Sequence, residues 1–166
     1  MENPSLQLLL DRAQISDAQL RYATGLDFRD WVCFRSCFDD EIEVDFSSVF
    51  GSGGPRKVSA DRWTESARRT VSGLQATQHM ITNHVITVDG DKALCIAYVQ
   101  AQHYLPNDKG GSTQTMGGYY TNHFMRTAKG WRISKCKLTL TWNEGNWHIF
   151  ELARQRLKAA EANTQK

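Results

Sequence analysis

The run TQHMITNHVITVDGDKALCIAYVQAQHYL occupies residues 77–105 and decides the fold. Apolar and polar residues alternate along both of its halves, which is the period of half-buried strands. Between the halves stands Asp89-Gly90-Asp91, a good hairpin connector. Outward from this hairpin, residues 113–126 and 130–142 alternate in the same way, joined by PNDKGGS and TAKG. Four long strands with such connectors form an antiparallel meander.

Upstream the period changes. Residues 5–26 carry Leu9, Leu10, Ala13, Leu20 and Ala23 at three- and four-residue spacing with no Pro or Gly before Gly25, so an amphipathic helix is predicted. A shorter helical pattern puts Trp31, Phe34, Cys37 and Phe38 on one side, and Asp27 sits at the joint between the two. Residues 41–48 alternate Ile42, Val44 and Phe46 with polar partners and read as a strand; FGSGGPRK then reads as a loop. Ser59 is placed to N-cap a helix reaching about residue 72, with Trp63 and Ala67 on one face. From about residue 150 a Leu, Ala, Arg, Lys and Glu-rich stretch predicts a C-terminal helix. The pattern predicts one α+β domain over residues 1–166, with N-terminal helices packed on a strongly curved antiparallel or mixed sheet. The cup so formed must be filled by side chains or by a ligand.

The composition narrows the partners. A chain of 166 residues with 40% apolar and 23% charged residues and a net charge of +2 offers no strong field for nucleic acid or a membrane surface. Small molecules or further copies of the chain are the expected partners. No run of eighteen apolar residues occurs, and the N-terminus lacks the features of a signal peptide, so a cytoplasmic location is expected. Cys33, Cys37, Cys95 and Cys136 show no paired CxxC spacing, and free, mostly buried thiols are expected. The five histidines are not at metal-ligand spacing and FGSGGPRK lacks the order of a phosphate loop, so neither metal nor organic cofactor is implied.

Alternation assigns faces. With His79 inward, Ile81 and Asn83 share its side and Met80 and His84 take the other. On the next strand Cys95, Ala97, Val99, Ala101 and His103 form a face of small side chains that leaves volume. On the third, parity does not decide between Met116, Gly118, Tyr120, Asn122 and Phe124 and the set Gly117, Tyr119, Thr121, His123 and Met125. On the last, Cys136, Leu138, Leu140 and Trp142 face in. A histidine in an apolar pocket is a competent general base when a carboxylate holds its other nitrogen. Asp27 is a candidate partner, although sequence spacing does not show that the two meet.

The order YATGLDFRDWVCFRSCFDDEIEVDF, TQHMITNH and GGYYTNHFMRTAKGWRISK resembles the SnoaL-like branch of the NTF2-like superfamily over nearly the whole chain. That resemblance implies an NTF2-like cone. It also implies an activity like that of two members of the branch, scytalone dehydratase and γ-hexachlorocyclohexane dehydrochlorinase, in which the positions matching Asp27 and His79 form a base dyad that starts an elimination. Departures narrow the chemistry. A lysine and an arginine that assist chloride departure in the dehydrochlorinase match Tyr22 and Cys136 here, which disfavours dehydrochlorination. Two tyrosines that polarise the carbonyl in scytalone dehydratase match Leu26 and Phe46, while its second active-site histidine matches His103.

The implied activity is a cofactor-independent, dehydratase-like lyase acting on a small apolar or aromatic substrate, with loss of water or of a one-carbon fragment. His79 with Asp27 removes the proton, and His103, Tyr22 or Tyr120 hydrogen-bonds the leaving group or developing oxyanion. Phe46, Val99, Leu140, Trp142 and Trp147 are expected to line the site or to belong to ordinary core. Asn122 is expected either to meet a substrate carbonyl or to bond within the strand or an interface. Alternatives are a non-catalytic ligand-binding protein, a dioxygenase β-subunit-like protein, and a ketosteroid- or polyketide-type isomerase or cyclase. The isomerase would need a carboxylate base among the inward residues of the long strands, and there is none in the pattern. The resemblance further implies a homo-oligomer through the outer face of the sheet, trimer ahead of dimer.

Overall fold

In the computed structural model, which describes residues 4–164, the chain opens with α1 (Pro4–Asp27) and α2 (Trp31–Ser36). It continues through β1 (Phe38–Asp45), one helical turn α3 (Ser47–Phe50), β2 (Arg56–Ser59) and α4 (Ala60–Val71). The long strands β3 (Ala76–Asp89), β4 (Lys92–Tyr104), β5 (Thr113–Thr127) and β6 (Gly130–Gly145) follow, and α5 (Ile149–Thr164) comes last. β3 to β6 pair antiparallel in chain order, β1 joins β6 in parallel, and β2 pairs antiparallel with β1, giving one mixed sheet in the order β2-β1-β6-β5-β4-β3. The helices pack on its concave face, as an α+β cone requires. Arg56 and Lys57, expected in the glycine-rich loop, belong to the short edge strand β2, whose four residues are too few to show an alternation. Ser59 caps α4 as its position predicts, its Oγ accepting from the Arg62 N–H.

The buried face of α1 differs from the expected one. Leu9, Leu10 and Leu20 are 64%, 47% and 46% exposed, and the helix instead buries Asp11, Ile15, Ala18, Gln19, Tyr22, Ala23 and Leu26. The reason is that the sheet supplies partners for its polar residues. Asp11 accepts from both Arg126 Nη atoms at 2.6 and 2.7 Å and from Trp131 Nε1 at 3.0 Å, while Gln19 Oε1 accepts from Asn122 Nδ2 at 2.9 Å. A buried polar group that is fully hydrogen-bonded is tolerated in a core, so a leucine-based reading of this helix selects the wrong stripe. At its C-terminal end Gly25 lets α2 cross closely: a Cβ there would lie 2.7 Å from the Phe34 backbone nitrogen.

Three single-residue bulges reset the parity among β3–β6, at Asn83, Ser134 and Thr141, and the first and last of them move residues named in the sequence. In β3, Thr82 pairs with Tyr98 and Val85 with Ile96, so Asn83 and His84 together oppose a single residue, and Asn83 adopts φ +55°. The extra residue turns His84 to the inner face, where its Nδ1 lies 2.7 Å from Ser16 Oγ of α1. The expectation that His84 points away from His79 is therefore corrected. In β6, Gly118 pairs with Leu140 but Gly117 with Trp142, so Thr141 is the extra residue. Trp142 is thrown onto the outer face and lies against Gly117, where a Cβ would come within 2.2 Å of the indole. On β5 the inner set is Met116, Gly118, Tyr120, Asn122 and Phe124, with all but the glycine buried. Cys95, Ala97 and Ala101 on β4 are at most 2% exposed and small, which leaves room between the sheet and the helices.

Candidate active site

α1 ends at Asp27, and Arg29, with φ 59°, turns the chain away from the helix. This corner sets the carboxylate against β3, which is an edge strand and so has backbone donors not used by a sheet neighbour. Asp27 Oδ2 accepts the His79 backbone N–H at 2.8 Å, and Oδ1 accepts His79 Nδ1–H at 2.7 Å and the Thr77 hydroxyl at 2.9 Å. Thr77 in turn accepts from Arg29 Nη1 at 2.8 Å, which fixes its proton toward Asp27. Burial raises the Asp27 carboxyl pKa, but the His79 side chain and backbone and the Thr77 hydroxyl outweigh it and hold the group below its ordinary value. Because an ionised carboxylate only accepts, the His79 proton sits on Nδ1 and the Nε2 lone pair is left free. The His79 side chain is 7% exposed.

His79 also lines a cavity of about 480 Å³ between the sheet, α1, α3, α4 and α5. That is within the range that holds a small organic ligand. The His103 ring stands edge-on to His79 at 5.6 Å and packs against Phe150 at 4.8 Å. Burial and the neighbouring His79 push its pKa down to about 4, so it is neutral near pH 7. Its tautomer is set by Gln114: the amide donates Nε2–H to the Thr115 carbonyl, which leaves Oε1 to accept from His103 Nδ1 at 2.9 Å. His103 Nε2 is thus an acceptor. It can take a hydrogen bond from a substrate hydroxyl, but it cannot donate one to an oxyanion, and this narrows the role expected from the sequence. Donors come from elsewhere. The Tyr22 and Tyr120 phenols share one hydrogen bond at 3.3 Å, so one O–H of the pair is free for a ligand. Burial raises both phenol pKa values, and the two groups stay protonated.

Of the other residues singled out in the sequence, Phe46, Val99 and Trp147 line this cavity, and Asp27 stands behind His79, facing a separate outer cleft. Three do not line it. Leu138 takes the lining position expected of Leu140, which packs against the core beside it. Asn122 is on the inner face but is 1% exposed and held under α1 by Gln19, so it has no access to a ligand. Trp142 is outside because of the β6 bulge. Several residues of the site were not singled out. Thr77 shares the parity of His79 and was legible from it, whereas Gln114, Phe150, Trp63 and Arg56 carry no local signal that separates them from core or surface. Among the described residues, no three His, Cys, Asp or Glu side chains are grouped so as to hold a metal ion. No described helix is long and apolar enough to cross a membrane.

Comparison with known proteins agrees with this fold. A family described as a SnoaL-like domain matches residues 7–137. An uncharacterised Mycobacterium tuberculosis protein is 25% identical over 132 residues, covering 78% of this chain and 84% of that one. The crystal structure of a Kribbella flavida protein superposes with a TM-score of 0.80 at 35% identity, over 89% of this chain and 99% of that one. A type 2 hexachlorocyclohexane dehydrochlorinase shares the fold with a TM-score of 0.72 at 22% identity, over 86% of this chain and 93% of that one. The chain belongs to the SnoaL-like family.

Proposed function

We propose that this protein is a cofactor-independent lyase that removes water, or a one-carbon fragment, from a small apolar or aromatic substrate by general-base elimination. The observation that carries the reading is the orientation of His79. Asp27 grips both its ring and its backbone, and the free Nε2 lone pair belongs to a ring that lines an apolar cavity. In the dehydration, Nε2 takes the proton from the substrate carbon, the C–H electron pair becomes the new double bond, and the adjacent C–O bond breaks. The imidazolium, stabilised by Asp27, returns its proton to the departing hydroxide, so water leaves and the base is restored. His103 Nε2 accepts from the leaving hydroxyl and orients it. The free phenol O–H of the Tyr22–Tyr120 pair donates to a carbonyl that becomes enolate-like, a contribution of a few kcal/mol for a well-placed donor. No acidic side chain lines the cavity, which counts against an isomerase that shuttles a proton on a carboxylate. The hexachlorocyclohexane dehydrochlorinase of the same fold supports elimination as a chemistry that this scaffold accommodates.

The test is a screen of aromatic and alicyclic alcohols with the wild type and His79→Ala, read by mass spectrometry. Loss of water or of a one-carbon unit with the wild type, reduced at least about a hundredfold in the variant, supports the reading. Binding of several candidates with neither mass change for any of them rejects it. We also propose that copies of the chain associate through the outer face of the sheet, where Met80, Ile96, Tyr98 and Trp142 are 46%, 37%, 58% and 45% exposed. An apolar patch of this kind marks an interaction surface. Trp142→Lys is expected to lower the sedimentation-derived mass of a trimer or dimer toward that of one chain; a wild type that sediments as a single chain rejects the association.

A further inference from the structure

The cavity carries a charge pattern that the proton-abstraction chemistry does not use. Arg56 of β2 stands directly opposite Val44 of β1 in the sheet register, and Val44 is 2% exposed. Directly paired residues share a face, so Arg56 projects from the concave side and contributes to the cavity wall. Its neighbour Lys57 lies on the other face and pairs with Glu41 at 3.3 Å, but among the described residues the Arg56 side chain has no ion pair or hydrogen bond. No Asp or Glu side chain lines the cavity to neutralise it, and the other arginine of the lining, Arg154, is already engaged by Glu151 at 2.7 Å. In the same cavity, Trp63 of α4 packs on Phe46 at 5.0 Å and keeps its buried Nε1–H without an acceptor. A buried donor left unpaired is costly, and its expected complement is an acceptor brought by a ligand.

We propose that the substrate carries a carboxylate at the end remote from His79, bound by the Arg56 guanidinium with a hydrogen bond from Trp63 Nε1–H. The assignment rests on the lyase reading for what happens at the His79 end, and it deepens that reading by making the substrate an apolar or aromatic hydroxy acid. β2 and β3 are the opposite edges of the sheet, so a molecule held by Arg56 and presented to His79 spans the cavity. A planar guanidinium matches a carboxylate in two parallel hydrogen bonds. One free cation in a wall without acidic side chains suits a monoanion better than a phosphate dianion, which would call for several donors or cations.

Binding alone tests this, without turnover. The full chain is titrated, with tryptophan fluorescence as the readout, against benzoate, cinnamate and naphthalene-2-carboxylate, each beside its own carboxamide. At least one acid is expected to bind about tenfold or more tightly than its amide, as a charge-assisted pair provides. Arg56→Gln, at an exposed edge position, is expected to bring acid and amide within about twofold to threefold of each other, chiefly by weakening the acid. Arg56→Lys keeps part of the preference, and Trp63→Phe weakens acid and amide alike, because both offer a carbonyl acceptor. His79→Ala retains the acid preference, so an enzyme without lyase activity still passes or fails this test on its own. Equal binding of acid and amide by the wild type, absence of binding across the panel, or a preference that survives Arg56→Gln overturns the proposal.

Discussion

Helix α1 presents two carboxylates to the sheet, and they differ in the partner they meet. Asp11 faces Arg126 in a two-point contact, with Trp131 and Gln7 completing its hydrogen bonds, and its side chain is 4% exposed. Hydrogen bonding to Arg126 overcomes burial and lowers its pKa to about 2. Arginine does not release its proton in a protein, so this pair can only fasten the helix to β5. Asp27 faces an imidazole instead, and an imidazole can gain and lose a proton near neutral pH. On the proposed reading the same helix carries a structural staple toward one end and a proton-handling pair at the other, and the partner residue decides which is which.

The comparison predicts that damage at the two ends separates activity from stability. The largest effect is expected at the Asp27 end, from Asp27→Asn as much as from His79→Ala. The His79 backbone N–H needs an acceptor, so the asparagine carbonyl takes the place of Oδ2 and its NH₂ turns toward His79 Nδ1. Nδ1 then becomes the acceptor and the proton moves to Nε2, which removes the lone pair facing the substrate. A loss of roughly 10²- to 10⁴-fold in kcat/KM is expected, measured on folded protein below its thermal unfolding midpoint. A variant that keeps most of its activity would show that His79 is not the base.

At the other end, Asp11→Asn is expected to cost about 2–3 kcal/mol of stability. This is below the usual figure for breaking a buried pair, because Arg126 is 32% exposed and keeps its contact with Asp91 at 2.9 Å. Urea unfolding measures the loss, and kcat/KM per folded molecule should change little. A fall in kcat/KM comparable to that of Asp27→Asn would mean that the two ends are coupled through the helix.

How much of this was legible from sequence follows the same physics. Alternation over residues 77–105 exposed the strands and the hairpin because each long strand has one face in the core. It failed where one extra residue breaks the period: Asn83 turns His84 inward and Thr141 turns Trp142 outward, and neither bulge is marked by a glycine or proline of its own. The helix α1 was legible, but not its buried stripe, because Asp11 and Gln19 are buried by partners more than a hundred residues away. His79 and Asp27 were candidates from pattern and chemistry, but their pairing came from motif resemblance, since only folding brings residues 52 apart within 2.7 Å. Arg56 stayed hidden because a four-residue edge strand has no pattern to read, and Gln114 because setting a tautomer leaves no trace in composition.

A third effect tests whether His103 belongs with the structural or the proton-handling side. Its pKa is near 4 in the fold against 6.5 for an ordinary histidine, so between these values the unfolded chain binds a proton that the folded chain does not. Stability is therefore fully present above about pH 6.5 and is lost as the pH falls toward 4, by at most about 3 kcal/mol from this group. Burial lowers the His84 pKa as well and acts in the same direction, and Asp27, whose carboxyl is held low, adds a further loss at more acid pH. His103→Gln is expected to flatten the pH dependence of urea midpoints between pH 4 and 6.5. An unchanged slope would mean that His103 is protonated in the fold, and its role as an acceptor would fail with it.

The smallest effect is the most discriminating. Thr77 bonds Asp27 from the side, and Arg29 pins the hydroxyl. Thr77→Val keeps the shape and removes one of the hydrogen bonds that hold the carboxylate charged, so the Asp27 pKa should rise and the carboxylate should be protonated, and lost as the partner of His79 Nδ1–H, at a higher pH than in the wild type. A net hydrogen bond to a charged group is worth about 1.5–3 kcal/mol, but water from the outer cleft lined by Asp27 and Thr77 can replace much of it. The expected outcome is a drop of roughly threefold to tenfold in kcat at neutral pH with KM unchanged, since the substrate does not touch Thr77, and an acid limb of the pH–rate profile moved toward higher pH. Had Asp27 only a structural role like that of Asp11, the same variant would lower the unfolding midpoint and leave the profile where it was. The position of that limb therefore separates a carboxylate that fastens the helix from one that tunes a base.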